Sequence, residues 1–232
     1  MAEKAAVKTA LIVGASRGLG LGLAKELLGR GWKVTATVRA AKGGTGLEEF
    51  HGRVSMETVD INNAAMVDGF VERMKPMVFD VVFINAGVGG PRNKTVETIA
   101  PEDVTFLFMT NAISPVRLAY KLLPMLRPGT GILAFMSSIL GSVAGNERGG
   151  MPIYGASKAA LNHLTRSLVA GLKEPAVTVL SLHPGWVRTD MGGDDADIDV
   201  ETSVAGLVNV LEAKAGSGGH EFLNYRGETI PW

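Results

Sequence analysis

Tyr154 and Lys158 stand four residues apart in Tyr154-Gly155-Ala156-Ser157-Lys158, and Ser138 precedes the tyrosine by sixteen. On a helix, positions i and i+4 share one face, one turn apart. An ammonium held beside a phenol favours the phenolate and lowers the tyrosine pKa from about 10. A tyrosine so tuned exchanges protons with an alcohol near neutral pH. The same spacing also decorates solvent-facing helices, so the pair takes its meaning from whatever positions it.

The 232 residues are 46% hydrophobic and 20% charged, the balance of a globular protein with one sizeable core. Residues 1–232 are expected to form a single domain, because no repeat, linker or composition break divides them. Lys+Arg and Asp+Glu are equal at 23 each, so no basic field draws nucleic acid or an anionic membrane. Cysteine is absent, which removes disulfides, thiolate metal ligands and cysteine nucleophiles. No apolar run is long enough to span a bilayer, and residues 1–8 lack the apolar segment of a signal peptide. A cytoplasmic enzyme or binding protein is expected. The histidines show no metal-ligand spacing, and no metal is expected.

The elements that must position the pair follow in chain order. Residues 9–13 read as a buried parallel strand, followed by Gly14-Ala15-Ser16-Arg17-Gly18-Leu19-Gly20 and a helical period over 21–30. Strand, glycine-rich turn and helix open a dinucleotide-binding unit, whose helix N-terminus faces phosphate. Gly14 allows the turn, Gly18 a close backbone approach and Gly20 tight helix packing. An ordinary strand-to-helix turn is the plainer alternative, and the three glycine offsets weigh against it. A second strand covers 32–38. No acid between 33 and 47 is present to hold a ribose 2′-hydroxyl, whereas Arg39, Lys42 and Arg17 suit a 2′-phosphate. That favours NADP(H) over NAD(H); a solvated loop role for Arg39 is the alternative.

Residues 54–59 and 79–84 read as strands, with a helix between them capped by Asn62 and ending at Lys75. Asn85-Ala86-Gly87 closes the fourth strand with small residues that let a flat ligand lie against backbone. A long helix is expected over 101–126. Pro115 within it has no N–H for the carbonyl of Asn111, which predicts a kink and an acceptor able to hold a water, or simply a packing kink. Residues 131–136 read as a strand ending at Ser137-Ser138, and the helix of Tyr154 and Lys158 runs to about residue 172. A sixth strand covers 177–182, and His183 after it reads as a structural neighbour of the site. Asp195, Asp197 and Asp199 imitate a calcium loop, but Val200 and Gly206 stand where glycine and glutamate are needed, so calcium is not expected. A helix over 200–213 and a strand over 222–225 complete the chain. The alternation predicts an α/β, Rossmann-type, doubly wound parallel sheet of about seven strands flanked by helices.

In this order the residues resemble the short-chain dehydrogenases/reductases over nearly the whole chain. The family's glycine-rich turn matches Gly14, Gly18 and Gly20, and its Asn-Ala-Gly motif matches Asn85, Ala86 and Gly87. Its catalytic asparagine matches Asn111, its serine Ser138, its Tyr-x-x-x-Lys pair Tyr154 and Lys158, and its Pro-Gly-x-x-x-Thr motif Pro184, Gly185 and Thr189. Val13 and Ile84 depart from the usual Thr and Asn beside two of these motifs. Residues 183–193, Asn224-Tyr225-Arg226-Gly227 and Ile230-Pro231-Trp232 resemble the C-factor/sniffer-like carbonyl reductase branch.

The resemblance implies NADP(H)-dependent reduction of a ketone or aldehyde to an alcohol, or the reverse, with Tyr154 as acid/base. It implies that Ser138 holds the substrate oxygen, that Lys158 lowers the tyrosine pKa and holds the nicotinamide ribose, and that Asn111 anchors a water in a proton relay. Cofactor contacts carry over to Gly14, Ser16, Arg17, Gly18, Leu19 and Gly20 in the turn, and to Arg39 at the 2′-phosphate. Asp60 and Ile61 fall at adenine, Asn85, Ala86 and Gly87 near ribose, with Tyr154 and Lys158 beside them. Pro184, Gly185, Val187 and Thr189 surround nicotinamide. The alternative is a regulatory or signalling protein that binds a dinucleotide and reduces carbonyls incidentally. The family's dimer surface maps to 102–126 and 154–172, so a homodimer or homotetramer is expected. The segment 190–199 is short, which implies an open site, and Val143, Met151 and Trp186 near it imply a hydrophobic carbonyl substrate.

Overall fold

The apolar runs form one parallel sheet in a computed structural model, which describes residues 6–40, 47, 50, 52–91, 93–147, 149–172 and 177–232. Lys42 lies outside the described residues. The strands are β1 (Thr9–Val13), β2 (Lys33–Val38), β3 (Val54–Thr58), β4 (Val81–Ile84), β5 (Ile132–Met136), β6 (Thr178–His183) and β7 (His220–Asn224). Their order is β3-β2-β1-β4-β5-β6-β7. Every neighbouring pair is parallel, with Val13 opposite both Thr37 and Ile84. After β3 the chain crosses back to the sheet's centre, so the loops after β1 and β4 diverge. Such a switch point leaves a crevice at the carboxyl ends of the strands.

Strands buried on both faces read as continuous apolar runs because helices cover each side. The helices α1 (Gly18–Gly29) and α6 (Val200–Lys214) cover one face, through Leu23, Leu27, Val204, Leu207 and Leu211. The other face receives α2 (Ala64–Met74), α4 (Ser114–Leu122) and α5 (Pro152–Ala170), through Phe70, Leu118, Leu122, Leu161 and Leu168. Asn63, not Asn62, caps α2: its side-chain oxygen accepts from the Met66 N–H. Asn62 is drawn away, donating its N–H to Asp60 Oδ1 and its amide to Thr110 Oγ1.

The helix expected over 101–126 is broken. Its first part, α3 (Pro101–Phe108), begins with Pro101 and carries Glu102 and Asp103 in its first turn, both favourable at an N-terminus. A π-helical turn follows at Met109–Ile113, in which the Ser114 N–H reaches back to the Met109 carbonyl. Pro115 enforces this, because it cannot donate to the Asn111 carbonyl and the ladder must shift register. The chain resumes as α4 and ends in a 3-10 turn at Leu123–Met125.

Another 3-10 turn, Ile139–Gly141, links β5 to the loop before α5. It docks on α5 backbone to backbone, through two glycines. A Cβ on Gly141 would lie 2.9 Å from the Lys158 carbonyl carbon, and one on Gly155 2.7 Å from the Leu140 oxygen. This contact fixes Ser138 relative to Tyr154. Gly155→Ala is therefore expected to lower stability in chemical denaturation by about 1–3 kcal/mol. Gly29→Ala, where a Cβ meets nothing within 4 Å, should leave stability unchanged or raise it. Equal effects of the two substitutions would contradict the docking.

Candidate active site

Tyr154 enters the carboxyl edge from the first turn of α5. The helix starts after Met151, whose left-handed backbone (φ 49°, ψ 57°) is strained for a side chain of this size. Pro152 then fixes the first helical residue. The phenol is packed closely, although Tyr154 as a whole remains partly exposed. Burial pushes its pKa up to about 12, and a hydrogen bond with the Ser138 hydroxyl opposes that rise. The lowering expected from Lys158 is therefore not what the geometry produces. Lys158 is 3% exposed, and its Nζ donates to the Met136 carbonyl at the end of β5, 2.8 Å away. It stands 5.7 Å from the centroid of the tyrosine ring. Desolvation lowers the Lys158 pKa to about 8. The arrangement gives a firmly protonated phenol beside an amine that can lose its proton close to neutral pH.

Asn111 is fully buried in the π turn and does more than its backbone suggested. Its Oδ1 accepts from the Val88 N–H, and its amide donates to the Val88 carbonyl, each at 2.8 Å. The amide also donates to Ser157 Oγ, whose hydroxyl donates to the Tyr154 carbonyl. The loop after β4 is thereby tied to α5. Gly87 sits between them: a Cβ there would lie 3.2 Å from Asn111 Oδ1 and 3.4 Å from Lys158 Nζ.

Ser138 caps its 3-10 turn by accepting from the Leu140 N–H at 3.2 Å, and its own hydroxyl proton serves the bond with the Tyr154 phenol. Ser137 and Asn162 support it, the second of them absent from the sequence reading. Ser137 Oγ donates to Asn162 Oδ1, and the Asn162 amide reaches the Gly141 carbonyl. Asn162 is one turn beyond Lys158, on the stripe of α5 that carries buried residues. A buried-face amide at that spacing was the signal for it. Further along, Ser142 Oγ donates to the Pro231 carbonyl and accepts from the Gly145 N–H.

The glycine-rich turn lies at the switch point. Gly14 has φ 91°, donates its N–H to Thr37 Oγ1 and accepts at its carbonyl from the Asn85 amide. A Cβ on Gly20 would fall 2.0 Å from the Gly14 oxygen. The N–H groups of Asn85 and Ala86 both donate to the Val13 carbonyl. Asn85 thus holds the turn itself together. Ser16 and Arg17 are exposed, Gly18 and Leu19 partly so. Helix α1 starts with no side-chain cap and no acid in its first turn, so its free N–H groups suit the phosphates of a dinucleotide. Arg17 pairs with Asp190. Arg39, exposed, and Asp60 leave the ends of β2 and β3, which the Val59 N–H joins to the Val38 carbonyl; Ile61 is buried behind them.

The strap after β6 closes the other side. Ser203 Oγ donates to the Pro184 carbonyl. Gly185, at φ 86°, leaves no room for a Cβ against Ile198 and Tyr225. Val187 is buried, and Thr189 Oγ1 accepts from the Gly192 N–H. No helix forms in residues 190–199, the short segment that implied an open site. Trp186, Met191, Met151, Ile139 and Val143 stand exposed on the loops around Tyr154 and Ser138. His183 Nδ1 is buried without a partner, and burial lowers its pKa to about 4, so the ring stays neutral. Among the described residues no cluster could hold a metal ion.

A family model described as short chain dehydrogenase matches residues 8–198. The C-signal protein of Myxococcus xanthus is 38% identical over 154 residues, covering 66% of this chain and 92% of its own. A carbonyl reductase from Pseudomonas aeruginosa, solved in complex with NADP, superposes with a TM-score of 0.91 at 43% identity, covering 98% of this chain and 100% of its own. The carbonyl reductase Sniffer of Drosophila melanogaster gives 0.87 at 34% identity, with 98% and 100% covered. The chain therefore belongs to the short-chain dehydrogenases/reductases, as an NAD(P)-dependent oxidoreductase resembling the C-factor/sniffer branch.

Proposed function

We propose that this protein is an NADP(H)-dependent carbonyl reductase, acting through one domain spanning 1–232. The observation that carries the reading is the Tyr154 phenol, kept protonated by burial and hydrogen-bonded with the Ser138 hydroxyl. A bound nicotinamide dinucleotide supplies the hydride. Ser138 and Tyr154 hold the substrate oxygen by donating to it, and Tyr154 gives that oxygen its proton as charge develops. A phenol with a raised pKa is a weak acid in isolation, so it transfers its proton only to an oxygen becoming alkoxide-like. Lys158, nearer neutrality, restores the tyrosine through solvent held at the Asn111 carbonyl, which Pro115 cannot use. In the reverse direction the phenol proton passes along the same relay to neutral Lys158 as Tyr154 takes the alcohol proton.

Arg39 and Arg17 support preference for the 2′-phosphate, and the NADP bound by the Pseudomonas aeruginosa relative agrees with that preference. The apolar side chains around the mouth support a hydrophobic ketone or aldehyde. Phe106 on α3 and Tyr120 on α4 are about half exposed at 52% and 55%, which supports a homodimer or homotetramer built on α3, α4 and α5. The signalling alternative is not favoured, since a pure binder has no use for a buried lysine behind a protonated phenol.

Tyr154→Phe should lower kcat/KM for reduction by about 10²–10⁴-fold while NADPH affinity changes little. Retained turnover in steady-state assays would refute the acid. The pH profile of kcat/KM should be flat up to about pH 7 and fall as Lys158 loses its proton through about 8, with Tyr154 still protonated. A profile level to pH 10 would contradict the relay. Arg39→Ala should weaken NADPH binding about tenfold and leave NADH unchanged in fluorescence titration, as expected for one charge-assisted contact; an equal loss for both would remove the 2′-phosphate assignment.

A further inference from the structure

We propose that Asp190 sets the affinity for the dinucleotide by competing with its phosphates for Arg17. The proposal rests on the dinucleotide reading of the site. Arg17 occupies the N-cap position of α1 in an extended conformation, and its side chain makes no cap hydrogen bond. Instead its Nη1 stands 2.5 Å from Asp190 Oδ2, across 173 residues of chain. The two side chains are 72% and 76% exposed.

The carboxylate is presented by a built turn. The Gly192 N–H donates to Thr189 Oγ1, the Gly193 N–H to the Thr189 carbonyl, and the Trp186 indole N–H to the Gly192 carbonyl. Thr189 Cγ2 comes within 3.7 Å of where a Cβ on Gly18 would be. The strap and the glycine-rich turn therefore touch, and the ion pair spans them beside the free N–H groups of α1. The strap's neighbouring cation points elsewhere: Arg188 donates to the Ala196 carbonyl and faces Asp199. Asp190 thus places a negative charge where a phosphate must approach, on the very guanidinium suited to receive it.

A guanidinium forks well onto carboxylate or phosphate, so the two anions compete for the same donors. An exposed ion pair is weak and screened, so it opens readily when phosphate arrives. The carboxylate still subtracts from the net affinity, because its pair with Arg17 must be broken first. Handing Arg17 to phosphate also frees the strap from α1.

The test is fluorescence titration of NADPH and NADH on the wild type, Asp190→Asn, Arg17→Ala and the double variant. Asp190→Asn should tighten NADPH binding about two- to fivefold, a gain that disappears when Arg17 is already alanine. Tightening of NADPH alone assigns the competition to the 2′-phosphate; tightening of both dinucleotides assigns it to the pyrophosphate. Unchanged or weaker NADPH binding by Asp190→Asn, or an equal gain in the Arg17→Ala background, overturns the proposal alone. A wild type that binds neither dinucleotide overturns it together with the cofactor reading.

Discussion

A lysine buried at the end of a parallel strand is the constraint on which the rest of this site depends. Taking an ammonium out of water is costly unless its donors are satisfied, or unless the proton leaves. Lys158 meets both conditions partway. It donates to the Met136 carbonyl at the carboxyl end of β5, and its pKa falls to about 8. That bond ties α5 to the end of β5, and Tyr154 lies one turn earlier on the same helix. Gly87 lacks a Cβ where one would crowd both Lys158 Nζ and Asn111 Oδ1, and Gly141 lacks one where it would strike the lysine backbone. The close approach of three segments to one amine is what leaves it desolvated.

Seen this way, the division of labour between Tyr154 and Lys158 is electrostatic. The two burials act in opposite directions on their pKa values, raising that of the phenol and lowering that of the amine. Groups whose environments separate their titrations are suited to distinct proton-transfer roles. The polar supports lie outside the reacting pair: Asn111 clamps Val88 and Ser157, and Asn162 joins Ser137 to Gly141. Sites held by such neighbours keep their geometry because each supporting side chain is itself fixed.

The strands and the motifs were legible in the sequence because each is local. Thr9–Val13 is a short apolar run before a glycine, and the carboxyl-edge residues follow directly from where the runs stop. Local chemistry also foretold the disturbance at Pro115, though not its form, since a proline forbids a bond without saying how the ladder recovers. The cap of α2 was misread by one residue because two adjacent asparagines are equivalent to a local rule. Thr110, 48 positions from Asn62 in the chain, decided between them. The direction of the Tyr154 shift was misread for a related reason. Spacing reveals that a lysine is near, but not that its ammonium turns to β5 or how deeply the phenol is packed. The Asn85 bond to Gly14 and the Arg17 pair with Asp190 join residues 71 and 173 apart, beyond any pattern of neighbours.

The proton transfer depends on the protonation of Tyr154. The chain has three tyrosines, so ring-carbon labelling with Tyr154→Phe as the assignment control isolates its resonance in an NMR titration. The Tyr154 signal should stay at its phenol position past pH 10 and move only as pH approaches about 12. A midpoint of about 9 or lower, below the free phenol value, would mean that charge from Lys158 outweighs burial and would contradict the account.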